Sequence, residues 1–535
     1  MRLLYLRVDR ALSCGGLLDG VELSISRVHE ETCLAPICFV GPNGTGKSQL
    51  LQLIAEIFQA AWHQCSPAEE RESSNAESLF EIQYRIGKTK GGVSVVRLIR
   101  KESGRRGSPI HMDILNNEGE WEGVGSGGDL FKQCLPSVVV GYTSGDNETL
   151  SLPFFVSRSG YAADVREAAM PNKRKGRRPT VAAVQDNRLL LVDYSTHLEV
   201  LVANLLLSSV AIRRAIISHA NLEDLASFRC VIQLNHSAAP RAPSGAPPHR
   251  KGVQLTHELE GYIESLKRVA TCWDYEPKNE IYTFDFFVDD EQRKAFAAHF
   301  SDAVSLYRAL HKISLLNDLA IPKAARSRLK RDIETRRFAS RLPEPQDEDK
   351  VFRFEQVSFR REQGEVSSLL DYVSLSDGEH QFAQILGMFA MITDAGALFV
   401  LDEPESHFNP RWRVQFTKML LGLPREVRGD QEVLLTTHAP FVPCDLQREQ
   451  VLIFSKNGDL KIGPPSIETF GASFDRILDA CFSIRPPISQ IAKDEIERLL
   501  SAGSAEEIEL ALRSFGPSVE RSFLADRLRQ LRMSS

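Results

Sequence analysis

Ile37-Cys-Phe-Val40-Gly41-Pro-Asn43-Gly44-Thr45-Gly46-Lys47-Ser48 decides the fold of this 535-residue chain. Ile37–Val40 is a short apolar run that reads as a buried strand. Gly41–Ser48 then fits G-x-x-x-x-G-K-[ST] without a mismatch, and SQLLQLIAEIFQAAW after it carries apolar residues at helical spacing. Strand, glycine turn and helix in that order are the context the pattern requires. Gly41, Gly44 and Gly46 free the backbone to turn N–H groups towards phosphate, and the helix adds its positive end. Asn43 and Thr45 complete the turn. Lys47 is placed for the β- and γ-phosphates of ATP, and Ser48 offers a hydroxyl to Mg2+.

Three further segments carry chemistry. Leu398-Phe-Val-Leu-Asp402-Glu403 is an apolar strand ending in two carboxylates, at the edge where α/β sheets bind ligands. Asp402 suits a Mg2+ shell, and Glu403 is placed to act as general base on an attacking water. Leu375-Ser376-Asp-Gly378-Glu379 opens a helix, with Ser376 and Glu379 spaced as a capping box. Val433-Leu-Leu-Thr-Thr437-His438 sets a histidine just past a short strand.

In this order the segments resemble the ABC ATPases. Leu375–Glu379 resembles their signature motif, most often Leu-Ser-Gly-Gly-Gln. The resemblance implies that Ser376 and Gly378, with Glu379 beside them, meet the γ-phosphate bound by a second copy. It implies that His438 senses that phosphate or holds the water with Glu403, and that Glu405, His407 and Asn409 lie at the subunit contact. Tyr142–Glu148, including Asn147, occupies the approximate place of the family's Mg2+-sensing glutamine without offering one. The expected fold is α/β: an ABC-ATPase head with a mixed sheet, split by a mainly helical insertion, and a helical C-terminal tail. The expected division is 1–150 for the first lobe, 151–350 for the insertion, 351–460 for the second lobe and 461–535 for the tail.

The remaining pattern supplies the elements. Residues 2–8, Val21–Ile25, Pro136–Tyr142 and Phe352–Phe359 read as strands, and Glu81–Ile86 with Val93–Ile99 as an antiparallel pair. Leu198–His219 and Leu255–Val269 read as helices around a Pro-, Ala-, Ser- and Arg-rich loop, His236–Lys251. Some 330 residues separate Ser48 from Ser376, a layout that resembles the SMC/RecF/OLD branch. No long heptad arm, CxxC hook or TOPRIM carboxylate set is present, so nuclease activity in this chain is not expected. Gly141–Pro153, Val192–Glu199, Ser406–Arg413 and Thr469–Ser473 resemble restriction-associated and Septu-type defence ATPases. That resemblance implies an ATPase that senses infection or foreign DNA and controls a separately encoded effector nuclease, while the shared ATP site of the ABC resemblance implies a homodimer or larger homo-oligomer. A RecF-like DNA-repair ATPase and a slow ATP-dependent scaffold are the alternatives.

Composition narrows the setting. The chain is 42% hydrophobic and 25% charged, with a formal net charge of −6, which argues against wholesale coating of nucleic acid. No apolar run reaches the roughly 18–20 residues of a membrane helix, and MRLLYLRVDR lacks the features of a signal peptide. Nine cysteines without a CxxC pair read as reduced thiols, so a cytoplasmic setting is expected. Two basic groups stand out: Lys173, Arg174, Lys175, Arg177 and Arg178 in a loop, and Lys323, Arg326, Arg328, Lys330, Arg331, Arg336, Arg337 and Arg341 on a helix. Neither is interleaved with aromatics, so each reads either as solvated charge or as a DNA-phosphate contact without sequence preference.

Overall fold

Apolar runs without polar alternation make strands that are buried on both faces. β1 (Ile37–Val40), β2 (Val139–Thr143), β3 (Leu189–Val192), β4 (Leu398–Asp402), β5 (Glu432–Thr436), β6 (Val451–Asn457) and β7 (Asp459–Gly463) form one sheet. Their order is β7-β6-β1-β5-β4-β2-β3. Every neighbouring pair is parallel except β6 with the edge strand β7. Asp402 stands opposite Thr436 on one side and Thr143 on the other. The register therefore gathers the ends of β2, β4 and β5 at one sheet edge, beside the turn that follows β1.

The computed structural model describes residues 1–25, 36–71, 78–87, 92–102, 108–144, 148–169, 184–193, 196–235, 250–322, 324–325, 327–328, 331–332, 345–363, 366–423, 431–485 and 488–534.

α1 (Lys47–Cys65) is buried from Leu50 to Trp62 without a break. A helix buried all round must be covered on every side, and α1 is. One core joins it to Leu6, Val8, Ile82 and Leu98 and also to Phe39, Val400, Leu434 and Phe454 of the central sheet. The first four belong to a six-stranded antiparallel sheet that includes Arg2–Arg10, Leu79–Gly87 and Val93–Arg100. Polar ties fix the depth of α1: Gln59 Nε2 donates to the Pro153 carbonyl at 2.9 Å, and Trp62 Nε1 to that of Pro136 at 3.0 Å. A buried carboxylate joins the outer sheet to the central one, since Glu432 accepts from the Leu3 backbone N–H at 2.7 Å.

A third sheet is antiparallel, in the order Cys272–Glu276, Ile281–Phe287, Asp224–Gln233, Phe352–Gln363, Val366–Asp371. Its middle pairing joins the segment expected as an insertion to the segment after it. β3 likewise lies within 151–350, yet it extends the central sheet through β2. The insertion is therefore woven into both sheets rather than set apart, because Leu189–Val192 and Asp224–Gln233 can bury their apolar side chains only by pairing with distant strands. The chain divides instead into residues 1–471 and 472–535. β7 keeps residues 459–463 with the first unit, so the tail starts later than the expected 461. The second unit consists of helices Phe474–Phe482, Gln490–Ala502, Ala505–Ser514 and Val519–Ser534, with Ile496, Leu499, Ile508 and Leu524 as its core. Mixed sheets, helices and a helical tail are the expected α/β fold class.

One expected helix is two. Leu198–His219 breaks into α3 (His197–Leu207) and α4 (Val210–Ile217), because Ser209 adopts an extended conformation and caps α4 through the Ile212 N–H. Of the loop read as His236–Lys251, residues 236–249 lie outside the described residues.

α3 holds Glu199 only 3% exposed, and burial pushes its carboxyl up to about 7. A folded-state value above the ordinary 4.5 means that the protonated form stabilises the fold. That contribution is complete below pH 4.5 and is lost as pH rises through 7. Chemical denaturation from pH 5 to 8 is expected to show a shallower stability decline in Glu199→Gln than in the parent; identical slopes contradict the assignment.

Candidate active site

The turn after β1 is shaped by backbone constraint. Gly41, Gly44 and Gly46 have φ of 138°, 74° and 96°, a region that side chains disfavour. At Gly41 space is also closed, since a Cβ would fall 2.4 Å from the Phe454 carbonyl oxygen. Pro42, Asn43 and Gly44 are exposed, while Thr45 is buried and donates to the Pro42 carbonyl at 2.8 Å. Lys47 is buried, and its Nζ donates to the carbonyls of Gly41 at 2.9 Å and Pro42 at 3.0 Å. Burial lowers the Lys47 pKa, against the pull of Glu403 and Asp402. The ammonium is thus folded back over its own turn.

Asp402 closes the floor of the site at 2% exposure. Its Oδ1 accepts from Ser48 Oγ at 2.9 Å and from Thr436 Oγ1. Burial raises its pKa, and the two hydroxyls work against that. Thr436 Oγ1 also accepts from the Glu403 N–H at 3.1 Å. Glu403 itself has φ of 48°, a costly conformation for a residue with a side chain and one that concentrates at functional sites. The twist presents its carboxylate to His438, whose Nε2 donates at 3.2 Å. That hydrogen bond is the main reason the Glu403 pKa is lowered. Both side chains keep solvent access, at 41% and 35% exposure.

Behind this pair lies a second layer. Glu405 is buried and accepts from Thr437 Oγ1, which in turn accepts from the Ala439 N–H at 2.9 Å. Burial pushes the Glu405 carboxyl up to about 7. Asn409 caps α7 (Pro410–Leu421) through the Trp412 N–H at 3.0 Å.

α6 (Asp377–Met391) begins with a complete capping box. Ser376 Oγ accepts from the Glu379 N–H at 3.4 Å and donates to Glu379 Oε2 at 2.8 Å, while the Ser376 N–H donates to the same carboxylate at 2.8 Å. Ser376 is exposed and Gly378 buried. A Cβ on Gly378 would meet the His407 carbonyl oxygen at 2.9 Å. That glycine therefore has a packing role against the 403–409 loop, independent of any ligand. Gln381 Nε2 donates to the Ser144 carbonyl at 2.9 Å, tying α6 to the end of β2.

The structure brings Lys47, Ser48, Asp402, Glu403 and His438 together at one sheet edge. It sets Ser376, Gly378 and Glu379 at the start of a separate helix, exposed at Ser376. Sequence reading missed Thr436, which bridges the two carboxylate residues, and the Glu405–Thr437 link. The only available signal was a Thr-Thr pair immediately before His438. Beside Asp402, where a metal-sensing glutamine was sought, β2 offers Thr143. Asn147 lies outside the described residues, as do Lys173, Arg174, Lys175, Arg177, Arg178, Lys323, Arg326, Lys330, Arg336, Arg337 and Arg341. Arg328 and Arg331 are exposed. Among the described residues no helix is long and apolar enough to cross a membrane.

The donors fit a Mg2+-nucleotide. A hydroxyl and a carboxylate share a 2.9 Å hydrogen bond, both hard oxygen ligands of the kind Mg2+ takes. The glycine turn above them has no room for a side chain at Gly41.

Residues 274–445 match the family model described as "AAA domain, putative AbiEii toxin, Type IV TA system". The matched stretch contains Ser376, Asp402, Glu403 and His438, and leaves the 41–48 turn outside it. No curated protein matches the chain. Similar solved structures include the SMC head domain from Thermotoga maritima, at 12% identity and TM-score 0.30, covering 87% of this chain and all of that one. The Smc head domain with coiled coil and joint from Pyrococcus yayanosii has 12% identity and TM-score 0.31, covering 87% and 97%. The recombination mediator protein RecF has 13% identity and TM-score 0.33, covering 86% and 97%.

Proposed function

We propose that the chain binds and hydrolyses ATP at Gly41–Ser48, Asp402, Glu403 and His438, in a site completed by Ser376 and Gly378 of a second copy. In this reading residues 1–150 and 351–460 supply the two lobes of the nucleotide head, and strands from 151–350 complete two of its sheets. The observation that carries it is the Glu403–His438 pair, 3.2 Å apart beside Lys47 and the Ser48–Asp402 contact.

The chemistry follows from the environments of the two carboxylates. Asp402, buried and held by two hydroxyls, has little freedom to accept a proton from a reacting water. Glu403 is half-exposed, and the His438 hydrogen bond favours its ionised form, so it is available as general base. It would take the proton of the water that attacks the γ-phosphate, while His438 holds the carboxylate in line. Lys47, buried and held by the carbonyls of its own turn, would exchange these for phosphate oxygens and bring its charge onto them. Ser48 and Asp402 would hold Mg2+, which would neutralise charge on the phosphates when bound.

The wider role rests on the sequence segments that resemble restriction-associated and Septu-type ATPases. On that basis the chain is the sensor subunit of a bacterial anti-phage or restriction-linked system and controls a separate effector nuclease. Fold-level likeness alone does not carry this step. Its direct test is co-purification with the product of an adjacent gene: a nuclease retained through gel filtration supports the role, and a chain that elutes without it refutes it.

Two measurements test the chemistry. Glu403→Gln is expected to lower phosphate release by about 10²–10⁴-fold while ATP binding, followed by a fluorescent analogue, persists. Unchanged turnover sinks the general-base assignment. Lys47→Ala is expected to abolish binding of that analogue with the melting temperature preserved; retained affinity would exclude the glycine turn as the nucleotide site.

A further inference from the structure

A cavity of about 520 Å³ lies at the opposite edge of the central sheet. It is bounded by the starts of β2 and β3, by α2 (Glu148–Ala169) and by α5 (Ala303–Ser314), and Ile392 and Asp394 just before β4 also line it. The length of β4, about 13 Å at the rise of a strand, separates this edge from Asp402. The size falls within the range of small-molecule sites, roughly 300–1,000 Å³.

Its cations are already matched. Arg158 pairs with Asp318 at 3.3 Å and Arg188 with Glu69; Lys312 pairs with Asp186 and, at 2.6 Å, with Glu258, while Arg308 approaches Asp186 at 3.7 Å. Among the described residues each lining cation already has a carboxylate partner, so an anionic ligand is not favoured.

Its hydrogen-bonding groups are not matched. The hydroxyls of Tyr161 and Tyr307, on residues 1% and 2% exposed, have no hydrogen-bond partner among the described residues. His311 Nδ1 is in the same position, and burial pulls that ring's pKa down to about 4, so it is neutral. Buried polar groups are nearly always satisfied, and those that are not call for an explanation. Here three of them line one cavity. Tyr307 and His311 also stack on each other, with centroids 5.1 Å apart and planes at 14°, which gives the wall an aromatic face. An aliphatic occupant would leave the hydroxyls unpaired, and a charged one would disturb matched ion pairs.

We propose that this cavity binds an uncharged heteroaromatic ligand of nucleoside size, its ring against the Tyr307–His311 stack and its polar edge on the Tyr161 and Tyr307 hydroxyls. The site is independent of the one that includes Lys47 and does not rest on the ATPase reading. Titration calorimetry of the full chain with adenosine, guanosine, cytidine and uridine tests it. At least one nucleoside is expected to bind one-to-one. Tyr161→Phe and Tyr307→Phe should each weaken that binding about tenfold, the loss of one hydrogen bond. Neither should lower the melting temperature of the free protein, because each removes a hydroxyl that has no partner. Lys47→Ala should bind the nucleoside as the parent does. Absence of binding by all four at millimolar concentration overturns the proposal, as does parental affinity in both Phe variants. Loss of binding in Lys47→Ala also overturns it, since the nucleoside would then occupy the glycine turn.

Discussion

The carboxylate of Asp402 is the point on which the site depends. It lies at the end of a strand, almost wholly buried, and it accepts from Ser48 on the helix after the glycine turn and from Thr436 on the neighbouring strand. Three segments distant in sequence are fixed to one another through a single oxygen. Burial opposes ionisation there, and the two hydroxyls counter it. Charge at this position is therefore expensive in the absence of a cation, and a carboxylate held in this way is suited to receiving one. Thr436 passes the constraint on to Glu403, whose N–H it accepts. The left-handed backbone at Glu403 is then held from both sides, and its carboxylate has one direction in which to point, towards His438.

Placement of these groups follows from how α1 is covered. Sheets on both sides leave it no free face, so the glycine turn at its start is anchored to a helix buried in a continuous core. The close approach of Gly41 to the Phe454 carbonyl fixes the same turn from the neighbouring strand β6. A mobile nucleotide can thus meet a rigid cradle. The start of α6 is built differently. Its capping box satisfies the helix end internally, and the exposed Ser376 gives that end a free surface for a second molecule. The same four residues cap a helix and present its positive end.

Much of the site was legible because it obeys local rules. Gly41–Ser48 declares itself by spacing, and Asp402, Glu403 and His438 each follow an apolar strand, so parallel pairing alone places them side by side. Ser376 and Glu379 carry a capping pattern that needs no tertiary information. The connecting residues were not legible for the same reason. Thr436 reads as one more β-branched residue in a strand, and nothing in its neighbourhood says that its hydroxyl bridges Asp402 and Glu403. Glu405 reads as a polar loop residue, and its burial depends on Thr437 from another strand. Strand pairing was not legible where partners are remote. Asp224–Gln233 pairs with Phe352–Gln363 more than a hundred residues later, and Leu189–Val192 pairs with β2 across α2, so neither has a hairpin signal to reveal it. A segment that looks like an insertion along the chain is a structural member of two sheets.

The central claim is that two copies share each nucleotide site, one supplying Lys47 and the other Ser376. Mixing two inactive variants tests it most directly. Lys47→Ala and Ser376→Arg should each be nearly inactive in ATP hydrolysis alone. When the two are mixed in equal amounts, half of the dimers formed at random combine one of each, and each such dimer contains one intact site. The account predicts recovery of about a quarter of the parental turnover, as two-fold sharing of sites requires. A mixture no more active than the average of its two components would contradict it.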